Sequence, residues 1–192
     1  MPVEIEAKLK VDSLAPTRDR LKATGAAYVG QALETNVFFD TDDRSLLAAD
    51  RGLRLRRTRD LSSNAEKYVI TLKGPRQHGP LKSRDETELT VASFDDAIAL
   101  LEQLGFAQVL SFEKRRETWK LEGCSVELDE LPLLGTFVEI EGPREEVVLR
   151  VRQTLGLSDR PIVKASYIAM LMTHLQEHGQ AGRNVVFEST NQ

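Results

Sequence analysis

The sequence has little of several features that would assign a chain to a common class. Cys124 is the only cysteine, so the chain cannot form an internal disulfide and is expected in a reducing compartment. No apolar run approaches the roughly 20 residues of a transmembrane helix. Near the N-terminus, Glu4 and Glu6 stand where a signal peptide would be apolar. We therefore expect a cytoplasmic protein with no membrane partner.

Excess positive charge is also lacking, because the formal net charge is -4 at pH 7. A nucleic-acid partner is not expected, and any anion site must be local. The phosphate-binding motif GxxxxGK[ST] is absent, which excludes a P-loop enzyme. With 192 residues, 41% of them hydrophobic and 29% charged, the composition is that of a globular domain. We predict one domain over residues 1–180 and a polar tail over 181–192.

The periodicity of hydrophobic residues predicts the strands and helices of that domain. Strands are predicted over residues 3–11, 28–39, 52–60, 66–73, 81–91, 106–121, 124–131 and 136–141. Helices are predicted from a cap at Asp12 or Ser13 to Gly25, and over 93–105, 144–155 and 165–178. Short spacings between strands favour hairpins, so the fold class is α+β: a closed eight-stranded antiparallel barrel with peripheral helices.

Charged residues recur at every second position on seven of the predicted strands. In the opening VEIEAKLKV, Glu4, Glu6 and Lys8 fall on one face of the strand. The further members of the pattern are Arg54, Arg56, Lys73, Lys82, Arg84, Glu86, Glu88, Lys114, Arg116, Glu127, Asp129, Glu139 and Glu141.

These faces could form a charged outer skin or line the barrel. The amphipathic helices predicted over 93–105 and 165–178 need an apolar surface to cover, and on a closed barrel that surface is the outside. We therefore expect the charges inside. Since unpaired buried ions cost several kcal/mol each, such an interior must hold water or a charged ligand.

The two signs of charge predict two kinds of ligand. Neighbouring carboxylates repel unless a cation lies between them, and oxygen ligands suit Mg²⁺ or Mn²⁺. Lys and Arg side chains match a compact polyanion. A metal-bound triphosphate satisfies both.

At this level of detail the sequence resembles the CYTH family of triphosphate tunnel metalloenzymes, which includes class IV adenylate cyclases, thiamine triphosphatases and inorganic triphosphatases. The family signature ExExK corresponds to Glu4, Glu6 and Lys8 in VEIEAKL. The similarity continues through GLRLRR, TLKGP, KSRDETE, FEKRRETW, VELDELPLLGTFVEIEG and VKASYIAML. The resemblance implies an eight-stranded tunnel, open at both ends, with the triphosphate inside it.

The resemblance also implies roles for individual residues. Metal ligands would be Glu4, Glu6, Glu86, Glu88, Glu127, Asp129, Glu139 and Glu141. Phosphate ligands would be Lys8, Arg54, Arg56, Lys73, Arg84, Lys114, Arg116 and Lys164. Direct catalytic roles would fall to Glu4, Glu6, Lys8, Arg56 and Lys73. In FEKRRETW the strand face is ambiguous, and Arg115 could take the place of Arg116.

The expected activity is metal-dependent hydrolysis of a triphosphate such as ATP, tripolyphosphate or thiamine triphosphate. One alternative is a class IV adenylate cyclase, in which the ribose 3'-hydroxyl attacks and pyrophosphate leaves. Another is a barrel that binds polyphosphate or nucleotide without turnover. A homodimer is compatible with the sequence, although no feature demands one.

Overall fold

The computed structural model describes residues 3–76, 82–180 and 182–188, with the side chains of residues 3, 4, 82 and 83 outside that description. The strands are β1 Val3–Val11, β2 Ala27–Asp40, β3 Gly52–Asp60, β4 Glu66–Lys73, β5 Lys82–Val91, β6 Ala107–Leu121, β7 Cys124–Leu131, β8 Gly135–Gly142 and β9 Asn184–Val185. The helices are α1 Ala15–Ala23, α2 Ser45–Ala48, α3 Phe94–Gln103, α4 Glu145–Thr154 and α5 Tyr167–Glu177. The eight predicted strands are present, with ends within one or two residues of the predicted ones.

These eight strands form a closed antiparallel barrel. Their order is β2-β3-β4-β5-β1-β8-β7-β6, and β2 also pairs with β6, so that each strand has two neighbours. The β2–β6 pairing joins the two ends of the sheet over most of the length of both strands, from Ala27↔Lys120 to Asp40↔Ala107. The pairing of β1 with β5 is the shortest of the eight, and it covers Val3–Glu6 and Lys82–Asp85.

Apolar side chains on the outer face of the barrel form the core under the helices. One cluster includes Leu9 on β1 and Val126 on β7, and it contains Val151 of α4. A second lies under α3, where Leu55 of β3 packs in a cluster with Leu101. The alternate residues of the same strands therefore face the barrel interior, as expected from the two-residue period.

The N-termini of α3 and α1 test the predicted capping residues. Ser93 caps α3 as predicted, because its hydroxyl accepts a hydrogen bond from the backbone N–H of Asp96. The predicted caps of α1 are wrong: its N-cap is Leu14, although the Ser13 hydroxyl does accept a hydrogen bond from the N–H of Ala15, the first residue of the helix. None of the helices in the described residues is long and apolar enough to cross a membrane.

Helix α5 covers one end of the barrel. Phe112, Leu131 and Phe137 lie on the same strand faces as the charged interior residues, but they cluster with Tyr167 and Leu171 of α5. The interior is thus apolar at this level and packs against the helix.

Part of the predicted tail joins the same cluster. Strand β9 pairs parallel with β6, matching Asn184 to Ser111 and Val185 to Phe112. Val185 is buried in the cluster that contains Leu171 and Leu175. Residues beyond 180 therefore contribute to packing at the α5 end of the barrel.

Candidate active site

The barrel interior contains a cavity of about 650 Å³ with a predominantly charged wall. Its volume lies in the range of pockets that hold small organic ligands. The charged residues that line it include Glu6, Lys8, Arg54, Arg56, Lys73, Arg76, Arg84, Glu86, Glu88, Lys114, Arg116, Glu127, Glu139, Glu141 and Lys164.

A carboxylate on β2 holds several of the cations in place. Glu34 is almost fully buried and lies 3.2 Å from the Arg56 guanidinium, 3.2 Å from the Lys114 ammonium and 4.0 Å from Arg116. Burial alone would raise the pKa of Glu34, but the charges of Arg56, Lys114 and Arg116 outweigh it and hold the pKa well below its ordinary value. Glu34 is therefore ionised at neutral pH and fixes the positions of three cations.

Arg116 is the centre of a second group, in which it contacts Glu127, Asp129 and Glu139. Its contact with Asp129 is bidentate, with the Nε donating to one oxygen at 2.7 Å and an Nη to the other at 2.6 Å. The Tyr167 hydroxyl also donates to Asp129, at 2.9 Å. Burial lowers the pKa of Arg116, but the surrounding carboxylates raise it far more, so the guanidinium stays charged.

Glu127 shows that negative charge is concentrated on β7 and β8. Burial raises the pKa of its carboxyl to about 7, and the charges of Asp129 and Glu139 add to this although Arg116 opposes it. Glu127 and Glu139 are directly opposite each other in the β7–β8 pairing. A proton or another cation at this position relieves the repulsion.

Lys8 connects this group to β1. Its ammonium lies 3.2 Å from Glu139 and 3.6 Å from Glu6, and it stands 3.9 Å from the centre of the Tyr167 ring. It also donates to the backbone carbonyl of Ala165 at 3.3 Å. The loop before α5 thus helps to hold the Lys8 side chain, which is only 2% exposed.

The wall formed by β3, β4 and β5 is more open and has its own ion pairs. Arg54 donates to the Thr71 hydroxyl at 3.0 Å, and Thr71 donates to Glu88 at 3.1 Å. Lys73 forms an ion pair with Glu86 on the adjacent strand.

Arg84 occupies the rim of this wall. Its guanidinium lies 3.1 Å from the carboxylate of Asp50, which also accepts a hydrogen bond from the Arg76 Nε at 3.0 Å. Two basic side chains of the cavity wall are thus held by one carboxylate.

The structure places most of the predicted site residues in the cavity wall. All eight predicted phosphate ligands line the cavity, with Lys164 exposed and Lys8 and Lys114 buried. Among the predicted metal ligands, Asp129 lies fully buried behind the wall, where it holds Lys114, Arg116 and Tyr167. Lys82 and Glu4 lie on β5 and β1, but their side chains are outside the described residues.

The ambiguity on β6 is resolved by strand parity. Arg116 faces the interior with 10% of its side chain exposed, whereas Arg115 points outward with 50% exposed and pairs with Glu130. The Arg115 guanidinium also lies over the Phe187 ring at 4.0 Å. Arg115 therefore cannot replace Arg116 in the cavity.

The sequence reasoning missed several residues of the described site, among them Glu34, Asn36, Asp50, Arg76 and Tyr167. Glu34 and Asn36 lie on β2, the strand that was not included in the charged pattern. The spacing of Glu34 and Asn36 in LETNVF is the same two-residue alternation as in VEIEAK. The pattern was therefore present on β2, but it extended over only these two residues. Asp50 and Tyr167 had no periodic signal, since both lie at the ends of turns or helices.

The cavity carboxylates are suitable in kind for a divalent cation. Glu6, Glu127, Glu139 and Glu141 lie on three adjacent strands, with Glu6 opposite Glu141 and Glu127 opposite Glu139. Such oxygen donors match Mg²⁺ or Mn²⁺, and burial, with the charges of Asp129 and Glu139 adding to it, raises the pKa of Glu127. Within the described side chains, no three Asp, Glu, His or Cys residues are yet arranged to hold one ion.

Comparison with known proteins gives consistent results. A Methanocaldococcus jannaschii protein, named provisionally as an adenylate cyclase, is 25% identical over 177 residues, which cover 88% of this chain and 98% of that protein. A solved structure from Pyrococcus horikoshii, PH1819, has a TM-score of 0.77 and 26% identity, covering 88% of this chain and 98% of the other.

A further solved structure, from Hippeastrum, is described as a provisional adenylyl cyclase with a dominant triphosphatase activity. It matches with a TM-score of 0.67 and 22% identity, covering 90% of this chain and 96% of that one, which shows a shared fold. The family model of the CYTH domain matches residues 2–157, a range that contains all eight strands of the barrel. The chain therefore belongs to the CYTH family.

Proposed function

We propose that this CYTH protein is a divalent-metal-dependent triphosphatase that hydrolyses a phosphoanhydride bond inside the barrel. The observation that carries the proposal is the cavity wall itself, where basic side chains from five strands and carboxylates from five strands face one space. Phosphoryl transfer needs positioning and charge stabilisation rather than a covalent nucleophile. Such a wall meets both requirements.

The basic side chains would bind the substrate and stabilise the leaving group. Lys8, Arg56, Lys114 and Arg116 are held by Glu34, Glu139 and Asp129, which fixes their orientation before a substrate arrives. Preorganised donors of this kind stabilise charge as it develops on phosphate oxygens. When water attacks the terminal phosphorus, the bond to the bridging oxygen breaks, and these cations would neutralise the diphosphate that leaves.

The carboxylates would hold the metal. Glu6, Glu127, Glu139 and Glu141 are the main candidates, Glu86 and Glu88 on β5 are further ones, and Glu4 on β1 is a candidate whose side chain lies outside the described residues. A bound Mg²⁺ or Mn²⁺ would supply Lewis-acid stabilisation of the phosphate charge. Glu127 would give up its proton to serve as a ligand, because a metal ion favours the ionised carboxylate.

The proposal is tested by ³¹P NMR of the full chain with Mg²⁺ or Mn²⁺ and, separately, ATP, tripolyphosphate and thiamine triphosphate. Release of orthophosphate from at least one substrate, abolished by a chelator, is the expected result. No turnover of any substrate, with binding retained, would instead identify a polyphosphate- or nucleotide-binding barrel.

Variants in the cavity wall should separate catalysis from folding. We expect Arg56→Ala and Glu6→Gln each to lower kcat/KM by at least about 100-fold, since each loses a charged group aimed at the substrate or the metal. Arg59→Ala is the matched control, because Arg59 is exposed on the same strand as Arg56 but on the opposite face. Full activity in both cavity variants would contradict the proposed site.

Class IV adenylate cyclase is the second candidate, favoured by the name of the Methanocaldococcus jannaschii relative. The same cations could bind ATP while the ribose 3'-hydroxyl attacks the innermost phosphorus and pyrophosphate leaves. The two reactions are distinguished in the same spectra, since cyclisation yields pyrophosphate and cyclic AMP in equal amounts and no orthophosphate.

A further inference from the structure

Asn36 is a neutral residue in a strongly charged part of the cavity. It lies on β2 between Glu34 and Phe38 on the inward face, opposite Arg56 on β3 and Phe112 on β6. Its side chain lines the cavity, yet the residue is only 1% exposed. The Oδ1 accepts a hydrogen bond from the Arg56 Nε at 2.9 Å.

The amide nitrogen of Asn36 has a different environment. The Nδ2 is buried and has no hydrogen-bond partner among the residues that the structure describes. Its orientation is determined by chemistry, because a guanidinium can only donate, so the oxygen must face Arg56 and the NH₂ group must face away. A buried donor in this state destabilises a protein unless a water or a ligand satisfies it.

Unlike the Asn36 amide nitrogen, the neighbouring cations already have carboxylate partners. Arg56 and Lys114 are each paired with Glu34, and Arg116 is paired with Asp129. An incoming polyanion has to compete with these carboxylates for the cations. The Asn36 amide can donate to an oxygen without displacing any charged partner, and it adds no net charge to the wall.

We propose that Asn36 is a substrate-binding residue whose Nδ2 donates to a phosphate oxygen, with Arg56 holding the amide in that orientation. The inference rests on the proposed function, since it takes a triphosphate as the ligand. It assigns to β2 a direct contact with the substrate in addition to the role of Glu34 in positioning the cations.

The direct test is ¹H–¹⁵N NMR of the ¹⁵N-labelled full chain, titrated with imidotriphosphate and Mg²⁺. This analogue resists hydrolysis because P–N–P bridges replace its P–O–P bridges. The Asn36 side-chain amide pair is assigned as the pair that is absent from Asn36→Asp. We expect this pair to shift downfield on saturation, while the pair of Asn184, which is exposed on β9, stays in place.

Affinity provides the second measurement. Asn36→Asp keeps the size of the side chain and an acceptor for Arg56, so the fold should be retained, but it removes the donor and adds a repelling charge. We expect its Kd for imidotriphosphate, measured by calorimetry, to rise by at least about 10-fold, because the loss of one hydrogen bond to a charged group accounts for about 10- to 100-fold and the added carboxylate repels the phosphate. Asn184→Asp, the same chemical change outside the cavity, should change the Kd by less than about twofold.

The outcomes separate this inference from the proposed function. If the backbone signals of Arg56 and Lys114 respond to the analogue but the Asn36 amide pair does not move, the triphosphate binds without Asn36 and the inference is wrong. If no signal in the cavity responds at any analogue concentration, the proposed function and the inference fail together.

Discussion

Glu34 illustrates how a single buried carboxylate can organise a site made of like charges. Arg56, Lys114 and Arg116 would repel one another across the cavity without it, and each lies within 4.0 Å of its oxygens. A buried ion pair is a weak source of net stability, but removing one partner leaves uncompensated charge behind. At the scale of the residue, we therefore interpret Glu34 as a positioning group for the cations rather than as a ligand of the substrate.

The lowered pKa of Glu34 predicts a specific pH dependence of stability. Its folded-state pKa lies below the ordinary value of 4.5, so the unfolded chain takes up the proton first as the pH falls. The contribution of Glu34 to the free energy of unfolding is therefore complete above about pH 4.5 and is lost as the pH falls further. We expect Glu34→Gln to be less stable than the wild type by about 1–3 kcal/mol at pH 7, and the difference to shrink toward pH 3.

Urea unfolding of both proteins at several pH values between 3 and 7 measures that difference. The midpoints should approach each other as the pH falls from about 4.5 to 3, because the unfolded wild-type chain takes up a proton at Glu34 that the folded chain does not. A difference that stays constant across this range would mean that Glu34 acts through packing and not through its charge.

At the scale of the element, strand parity decides which charged residues reach the cavity. On β6 the residues Lys114 and Arg116 point inward, while Arg115 between them points outward to Glu130. Adjacent residues of one strand thus have opposite environments, because successive side chains leave opposite faces of the sheet. Closure of the barrel makes this parity a strict division between cavity and outer surface.

Arg115 and Arg116 therefore form a matched pair for mutation. We expect Arg116→Ala to lower kcat/KM for the best triphosphate by more than about 100-fold, because a preorganised cation is removed from the wall. Arg115→Ala should retain at least about half of the wild-type value, since it loses one exposed ion pair. Steady-state phosphate release measures both, and equal losses in the two variants would contradict the inward face assigned to β6.

At the scale of the whole molecule, α5 and β9 add an apolar cluster against the strands of the barrel. Leu171 is fully buried among interior and helix residues, and Val185 packs in the same cluster. The loop before α5 supplies the Ala165 carbonyl to Lys8, and the first residue of α5, Tyr167, donates to Asp129. The C-terminal segment is thus part of both the core and the cavity wall.

This integration predicts that damage to α5 destabilises the entire barrel. Leu171→Ala should lower the free energy of unfolding by about 2–5 kcal/mol because it leaves a cavity in a well-packed cluster. Met172→Ala, the adjacent substitution at a residue that is 40% exposed, should cost less than about 1 kcal/mol.

Trp119 provides the readout for this comparison. It is the single tryptophan and is buried in the cluster under α1 and α4, away from Leu171. Its fluorescence in urea should report the lower stability of Leu171→Ala if the domain unfolds as one unit. An unchanged Trp119 transition would mean that α5 unfolds separately from the barrel.

Local patterns in the sequence were sufficient to predict the strands and most residues of the candidate site. Glu139 and Glu141 flank Ile140, and Arg54 and Arg56 flank Leu55, so period-two alternation alone predicted which side chains share a face. The amphipathic helices then predicted that this face is the interior. Both are properties of neighbouring residues, which is why they could be derived without a structure.

Other features depended on contacts between residues distant in the chain. The partners of Lys8 include Glu139, the partners of Glu34 include Lys114, and α5 packs on the strands at Phe137. A strand's face follows from its own sequence, whereas its partner, its register and what packs on its end follow from the total burial and charge pairing of the folded chain. The sequence by itself thus determined an eight-stranded barrel with a charged interior, and only the tertiary structure decided how those charges are paired and which helix packs on the barrel at Phe137, because both depend on residues far apart in the chain.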